Sequence, residues 1–253
     1  MSHSVVILAG GLATRLRPLT ETLPKAMVDV CGKPFLTHQL ALLKQQGLTN
    51  IVLCVGYEGE QIERYFGNGD RVGVRLRYSY DGETLLGTGG ALQQALPLLD
   101  EVFMVLYGDS YLDMDYRPIM ARFLKRYHPQ NSESPLALMT VYHNSSQFDQ
   151  SNVLFEEEQI RHYDKRRPTG DMHHIDWGLG ILSKPAFEQF FPHRSGGPAA
   201  GGPVSFDLAD LYQSLVSCQK LMGFEVFTRF YEMGSPQGLA ELREWLQQRG
   251  KMD

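Results

Sequence analysis

The stretch SVVILAGGLATRLRPLTETLPKAM carries an apolar, β-branched run into Gly10 and Gly11, then sets Arg15, Arg17 and Lys25 along a path stiffened by Pro18 and Pro24. Glycines at the end of a strand have no Cβ, so their backbone N–H groups can come close to a phosphate. Cations clustered just beyond them suit a polyanion, and the loop reads as an anion-handling device. Two common phosphate loops are excluded here: the stretch contains neither G-x-x-x-x-G-K-[ST] nor G-x-G-x-x-G.

Three further segments carry residues of chemical interest. VLYGDSYLD ends an apolar run in Gly108 and Asp109. A carboxylate at the carboxyl end of a strand faces the ligand crevice of an α/β sheet, and a magnesium ion on phosphates takes one or two protein carboxylates. Just beyond, Asp113 and Asp115 form a D-x-D, the basis of a rival reading as a metal-dependent glycosyltransferase. GETLLGTGGAL sets Thr88, Gly89 and Gly90 at a helix start, suited to close approach of a base or ribose. In HYDKRRPTGDMHHIDWGLGIL, His173 and His174 are adjacent. Neighbours on a strand point to opposite faces, so a solvated or core role is expected for them rather than a metal pair.

These residues need a scaffold, and the chain supplies one. Apolar runs at SVVILAG, IVLCVG, RLRYSY, VFMVLYG, LALMTVY and NVLFEEE read as strands, with helical patterns between several of them. The segment Pro34 to Gly47 is a helix opened by proline and closed by glycine; EGEQIERYFG and TGGALQQALPLL supply two more. This alternation predicts right-handed crossovers and a mainly parallel sheet covered on both faces. Later, NVLFEEEQIRHYDK and HIDWGLGILS read as longer strands, SFDLADLYQSLVS as an amphipathic helix capped by Ser205, and SPQGLAELREWLQQRG as a final helix from Ser235 to near Gly250. The glycine- and proline-rich segment 193–203 is the one evident flexible stretch, and no fixed-period repeat occurs.

At 253 residues, with 43% hydrophobic and 21% charged residues, the chain can bury a large core and is not a disordered segment. No apolar run reaches the roughly 20 residues of a spanning helix, and SVVILAG is too short for a signal core. A cytoplasmic protein with no membrane partner is the expectation. The net charge of −5 argues against a nucleic-acid surface. Cys31, Cys54 and Cys218 are odd in number and widely spaced, which predicts buried thiols and neither disulfide framework nor zinc site.

LAGGLATRLRPLTETLPKAM followed by GKPFL resembles the signature of the sugar-phosphate nucleotidyltransferases, approximately L-A-G-G-x-G-T-R-L-x-P-L-T followed by P-K, with Ala13 where the family most often has glycine. The resemblance runs from Val5 to about Pro236. It implies a Rossmann-like α/β three-layer sandwich with a mainly parallel mixed sheet. That fold would be a single domain over 1–253, its NTP-binding half about 1–110 and its sugar-phosphate-binding half about 111–240. The implied reaction joins an NTP to a sugar 1-phosphate and releases pyrophosphate, with Mg2+. By resemblance, Leu8, Ala9, Gly10 and Gly11 cradle the nucleotide, Arg15 holds the departing phosphates and Lys25 neutralises charge at the α-phosphate. Thr88 and Gly89 belong to the base-recognition loop, with Glu83 upstream as a contributor, and Asp109 is the metal carboxylate. Asp164, Lys165, Asp176 and Gly178 line the sugar-phosphate side; Glu232 stands where the family has aspartate, either as second metal ligand or as partner of a sugar hydroxyl. The short length and the GTGGAL, DKR and DWGLGIL segments look most like heptose 1-phosphate guanylyltransferases, with uridylyltransferases of N-acetylmuramate or hexose 1-phosphates close behind. A fused hexapeptide β-helix is not expected, and a homo-oligomer is compatible with the family.

Overall fold

A computed structural model describes residues 3–11, 14–144, 146–191 and 205–249. From β1 (Val5–Leu8) the chain passes the short strands β2 (Asp29–Val30) and β3 (Lys33–Pro34) into α1 (Phe35–Gln45). It then alternates β4 (Asn50–Val55), α2 (Gly59–Phe66), β5 (Arg75–Tyr80), α3 (Gly87–Ala95) and β6 (Val102–Tyr107). These strands pair in parallel in the order β5-β4-β1-β6. Their runs VVIL, IVLCV and VFMVL are buried almost end to end, the pattern of strands covered on both faces. Because β4 and β5 add on one side of β1 and β6 on the other, the direction of winding switches beside β1. That opens a crevice at the carboxyl ends of β1 and β6, where Gly10, Gly11, Gly108 and Asp109 leave the sheet.

The chain continues through β7 (Ser110–Tyr111), α4 (Arg117–Leu124), β8 (Ala137–His143), β9 (Val153–Glu156), β10 (Gln159–Tyr163), β11 (His174–Ser183), α5 (Lys184–Phe190), α6 (Leu208–Ser217), β12 (Leu221–Val226), β13 (Tyr231–Glu232) and α7 (Pro236–Arg249). The completed nine-stranded sheet has the order β5-β4-β1-β6-β11-β8-β12-β10-β9. It is an α/β sheet of mixed direction: β11 and β10 run against the other strands. Separately, β13 pairs antiparallel with β7, setting Glu232 opposite Ser110.

The α1 expectation holds, with Pro34 in the capping position and Gly47 at φ +75° just past the end. At α7 the Ser235 hydroxyl accepts the Gly238 N–H at 3.0 Å, a cap followed by proline as expected. Gly250 and the segment 193–203 lie outside the described residues. Three expectations differ. NVLFEEEQIRHYDK is a β9–β10 hairpin rather than one long strand: its glutamates have no apolar face to bury, and Glu157 and Glu158 form the turn at positive φ. α6 is capped by Asp207, not Ser205; the Asp207 carboxylate accepts the Ala209 N–H at 2.9 Å while the Asp210 carboxylate accepts the Asp207 N–H at 3.2 Å. Of the thiols only Cys54 is buried; Cys31 and Cys218 are exposed.

The main core fills both sides of the sheet. A smaller cluster, including Leu16, Val30, Phe35, Tyr111, Met233 and Leu242, ties the loop after β1 to β7, β13 and α7. Each such buried side chain contributes roughly 1.5–3 kcal/mol. This packing brings the Arg15 segment beside Glu232.

Candidate active site

A cleft of about 250 Å³ opens at the carboxyl ends of β1, β4 and β6, lined among others by Gly10, Gly11, Lys25, Thr88, Tyr107 and Asp109. Leu8 and Ala9 also line it. Lys25 opens a single helical turn after Pro24, and its Nζ lies 2.6 Å from Asp109 Oδ2. Asp109 is fixed from three sides. Buried Gln39 on α1 donates through Nε2 to the carbonyls of Tyr107 (3.0 Å) and Ser110 (2.8 Å), bracketing it. The Met233 N–H donates to the Asp109 carbonyl at 2.9 Å. Gly108 admits no side chain, since a Cβ there would fall 2.5 Å from the Leu8 carbonyl oxygen.

Arg15 and Glu232 lie outside the lining of this cleft, and Glu232 lines a separate groove of about 110 Å³ with Ser235 and Glu241. Arg15 and Glu232 flank Gly234: a Cβ on that residue would lie 3.3 Å from Arg15 Nη2 and 2.9 Å from Glu232 Oε2. Burial raises the Glu232 pKa above its ordinary value; the charges of Asp109 and Asp149 add to this, and those of Arg15 and Lys25 oppose it. Two cations and two carboxylates thus share one electrostatic neighbourhood. The Asp109 and Glu232 oxygens are hard donors, few enough to leave most of a cation's coordination to phosphate and water, so the donor set fits Mg2+. Leu12 and Ala13 lie outside the described residues.

A second group of residues meets the cleft at Thr88 and Tyr107. Lys165 Nζ lies 2.6 Å from Asp207 Oδ2, and Thr88 Oγ1 donates to Asp207 Oδ1 at 3.1 Å. Tyr107 Oη donates to Asp176 Oδ2 at 3.2 Å, and the Gly178 N–H donates to Asp176 Oδ1 at 3.0 Å, with Gly178 at φ +103°. Burial lifts the Asp176 carboxyl to about 6, against these hydrogen bonds and the Lys165 charge.

Several candidates are placed elsewhere. Asp164 accepts the N–H groups of Arg166 (2.8 Å) and Arg167 (2.9 Å), which cap its own turn and hold its carboxyl below the usual range. Glu83 is exposed and outside the cleft lining. Gly89 packs away from the cleft, donating its N–H to the Phe206 carbonyl at 3.0 Å, and a Cβ on it would meet the Phe206 ring at 2.3 Å. Both carboxylates of the D-x-D are engaged, Asp113 with Arg249 and Asp115 with Arg117 at 2.7 Å. His174 pairs with Glu225 at 3.2 Å on β11, and His173 is exposed.

Four residues of the site carry no signal strong enough to single them out in the sequence alone: Gln39, Asp81, Tyr107 and Asp207. Asp81 is buried, lines the cleft and accepts the Leu86 N–H at 3.2 Å. For Asp207 a partial signal exists, since D-x-x-D before an apolar run marks a helix start.

The chain matches the nucleotidyl transferase family model over residues 4–147. It is 45% identical over 112 residues to an N-acetylmuramate alpha-1-phosphate uridylyltransferase of Neisseria meningitidis serogroup B, covering 44% of this chain and 48% of the relative. It is 32% identical over 188 residues to a D-glycero-alpha-D-manno-heptose 1-phosphate guanylyltransferase of Campylobacter jejuni, covering 73% of this chain and 78% of the relative. The solved structure of HddC from Yersinia pseudotuberculosis complexed with GMP-PN superposes with TM-score 0.70 at 25% identity, covering 96% of this chain and 99% of that one. The chain spans 31–49% of the length of the first curated relatives it matches. A match over more than half of the chain, a crevice at the switch point and a charge cluster built on the loop after β1 lead to one conclusion: this chain belongs to the nucleotidyl transferase family.

Proposed function

We propose that the cleft transfers a nucleotidyl group from an NTP to a sugar 1-phosphate, giving a nucleotide-sugar and pyrophosphate. The observation that carries this reading is the Lys25–Asp109 pair in a cleft whose other side leads through Thr88 to Lys165, with Arg15 and Glu232 beside each other and within reach of its charges. An oxygen of the sugar phosphate forms a bond to the α-phosphorus; the bond to the bridging oxygen breaks, and its electron pair leaves with pyrophosphate. The attacking phosphate is already anionic, so no strong general base is required. The barrier is repulsion between anions, and the protein lowers it by placing cations. Lys165 holds the sugar phosphate, Lys25 faces the α-phosphate and Arg15 receives the pyrophosphate. Asp109 and Glu232 would hold Mg2+, which when bound supplies charge neutralisation at the phosphates.

Guanine is the base this reading favours. Asp81 presents an acceptor-only carboxylate to the cleft. Guanine offers it two adjacent donors, N1–H and N2–H, whereas uracil offers one N–H flanked by carbonyls. The heptose guanylyltransferase among the relatives is consistent with a GDP-heptose-type product, and the uridylyltransferase keeps a UDP-sugar product as the second reading. The same proposal carries one Rossmann-like three-layer domain, divided into NTP and sugar-phosphate halves. A pyrophosphate-release panel of GTP, UTP, dTTP and CTP against heptose, mannose, glucose and N-acetylmuramate 1-phosphates tests it. Turnover highest with GTP and a heptose 1-phosphate supports the full reading, turnover highest with UTP overturns the base assignment, and none with any pair overturns the activity.

A further inference from the structure

Asp207 joins Lys165 to Thr88, which lines the cleft. Its two carboxylate oxygens have different partners. Oδ2 holds Lys165 Nζ at 2.6 Å, and Oδ1 accepts from Thr88 Oγ1 at 3.1 Å and from the Ala209 N–H at 2.9 Å. Thr88 completes the link by accepting the Leu208 N–H at 2.8 Å, so the first turns of α3 and α6 are pinned through one hydroxyl. The Lys165 and Asp207 side chains are 38% and 30% exposed, and ion pairs that open to solvent add little to stability. What the pair does supply is a direction for a four-carbon chain that would otherwise sample many rotamers. The neighbouring charges leave Asp207 this role: Asp210 is taken by Arg166 at 2.9 Å, and Asp176 by Tyr107 and Gly178.

Resting on the function proposed above, we infer that Asp207 is a positioning residue that orients the Lys165 ammonium for the sugar phosphate and anchors it to the Thr88 side of the nucleotide site. Asparagine at this position separates the roles. Its amide oxygen still caps α6 and still accepts from Thr88, because asparagine is as good a cap as aspartate, but its amide nitrogen cannot hold an ammonium.

The experiment compares the wild type, Asp207→Asn and Asp207→Glu by pyrophosphate release, by thermal melting, and by lysine acylation with a small reagent read out by peptide mass spectrometry. In Asp207→Asn, the KM for the sugar 1-phosphate should rise about tenfold, as expected for an ordered lysine released to solvent. The NTP KM should stay within about twofold and the melting temperature within about 2 °C, since the cap is kept. Lys165 acylation should rise several-fold with other lysines unchanged, and Asp207→Glu should recover part of the sugar-phosphate KM. An unchanged or lowered sugar-phosphate KM, or unchanged Lys165 acylation, overturns the inference. The acylation arm needs no turnover, so failure of the proposed activity and failure of the Asp207 role are separate results.

Discussion

Lys25 and Asp109, 84 residues apart in sequence, meet with Nζ 2.6 Å from Oδ2. The loop after β1 and the end of β6 are thereby joined across the switch point, and each charge is compensated before any substrate arrives. Asp109→Asn removes the carboxylate while keeping its shape. Turnover should fall at least about 100-fold, the scale of losing a positioned charge in a phosphoryl-transfer site. The pair is partly exposed, so the melting temperature should change by no more than a few degrees. Near-normal magnesium-dependent turnover with an intact fold contradicts the assignment.

Gln39 gives a test of how Asp109 is held. Gln39→Met preserves volume but leaves the Tyr107 and Ser110 carbonyls without their donor. We expect a loss of about 2 kcal/mol in urea unfolding, together with a lower kcat at nearly constant NTP KM. A stable variant with full kcat would show that the bracket around Asp109 is dispensable.

Gly89 and Phe206 test the packing of α3. Gly89→Ala places a methyl 2.3 Å from the Phe206 ring and should cost about 1–3 kcal/mol by overpacking. Phe206→Leu should recover part of that loss in the double variant. If the two unfolding penalties simply add, the steric explanation of this glycine is wrong.

Asp176 predicts a pH dependence. Its folded pKa, raised to about 6 by burial, exceeds the unfolded carboxylate value, so between about pH 4 and pH 6 the folded state binds more protons than the unfolded one. Stability from this group is greatest at low pH and is lost as pH rises through 6, by up to roughly 3 kcal/mol. The melting-temperature advantage of Asp176→Asn over the wild type should therefore grow from pH 5 to pH 8; a constant difference over that range refutes the shift.

The sheet and the cleft at the end of β1 are legible in the sequence because local rules govern them. The near-continuous apolar runs of β1, β4 and β6 and the glycines after β1 sit in sequence next to what they position. Lys25 and Asp109 can be proposed separately, but the distance between them is a property of the strand order. The second half is harder to read. The glutamate-rich β9–β10 hairpin turns at two residues of positive φ, a conformation that glutamate rarely signals. Gln39 and Tyr107 are ordinary core-compatible residues until the Asp109 loop folds around them. Gly89 shows the converse: the glycine in GTGGAL invites a ligand, and the structure fills its missing Cβ with the ring of Phe206, more than a hundred residues away.

The most direct test of nucleotidyl transfer follows the α-phosphorus itself. With GTP labelled at the α-phosphate and a heptose 1-phosphate, the label should enter the sugar nucleotide while one pyrophosphate is released per product. Label found only in GMP or GDP, or no transfer to any sugar 1-phosphate with any of the four NTPs, would contradict it.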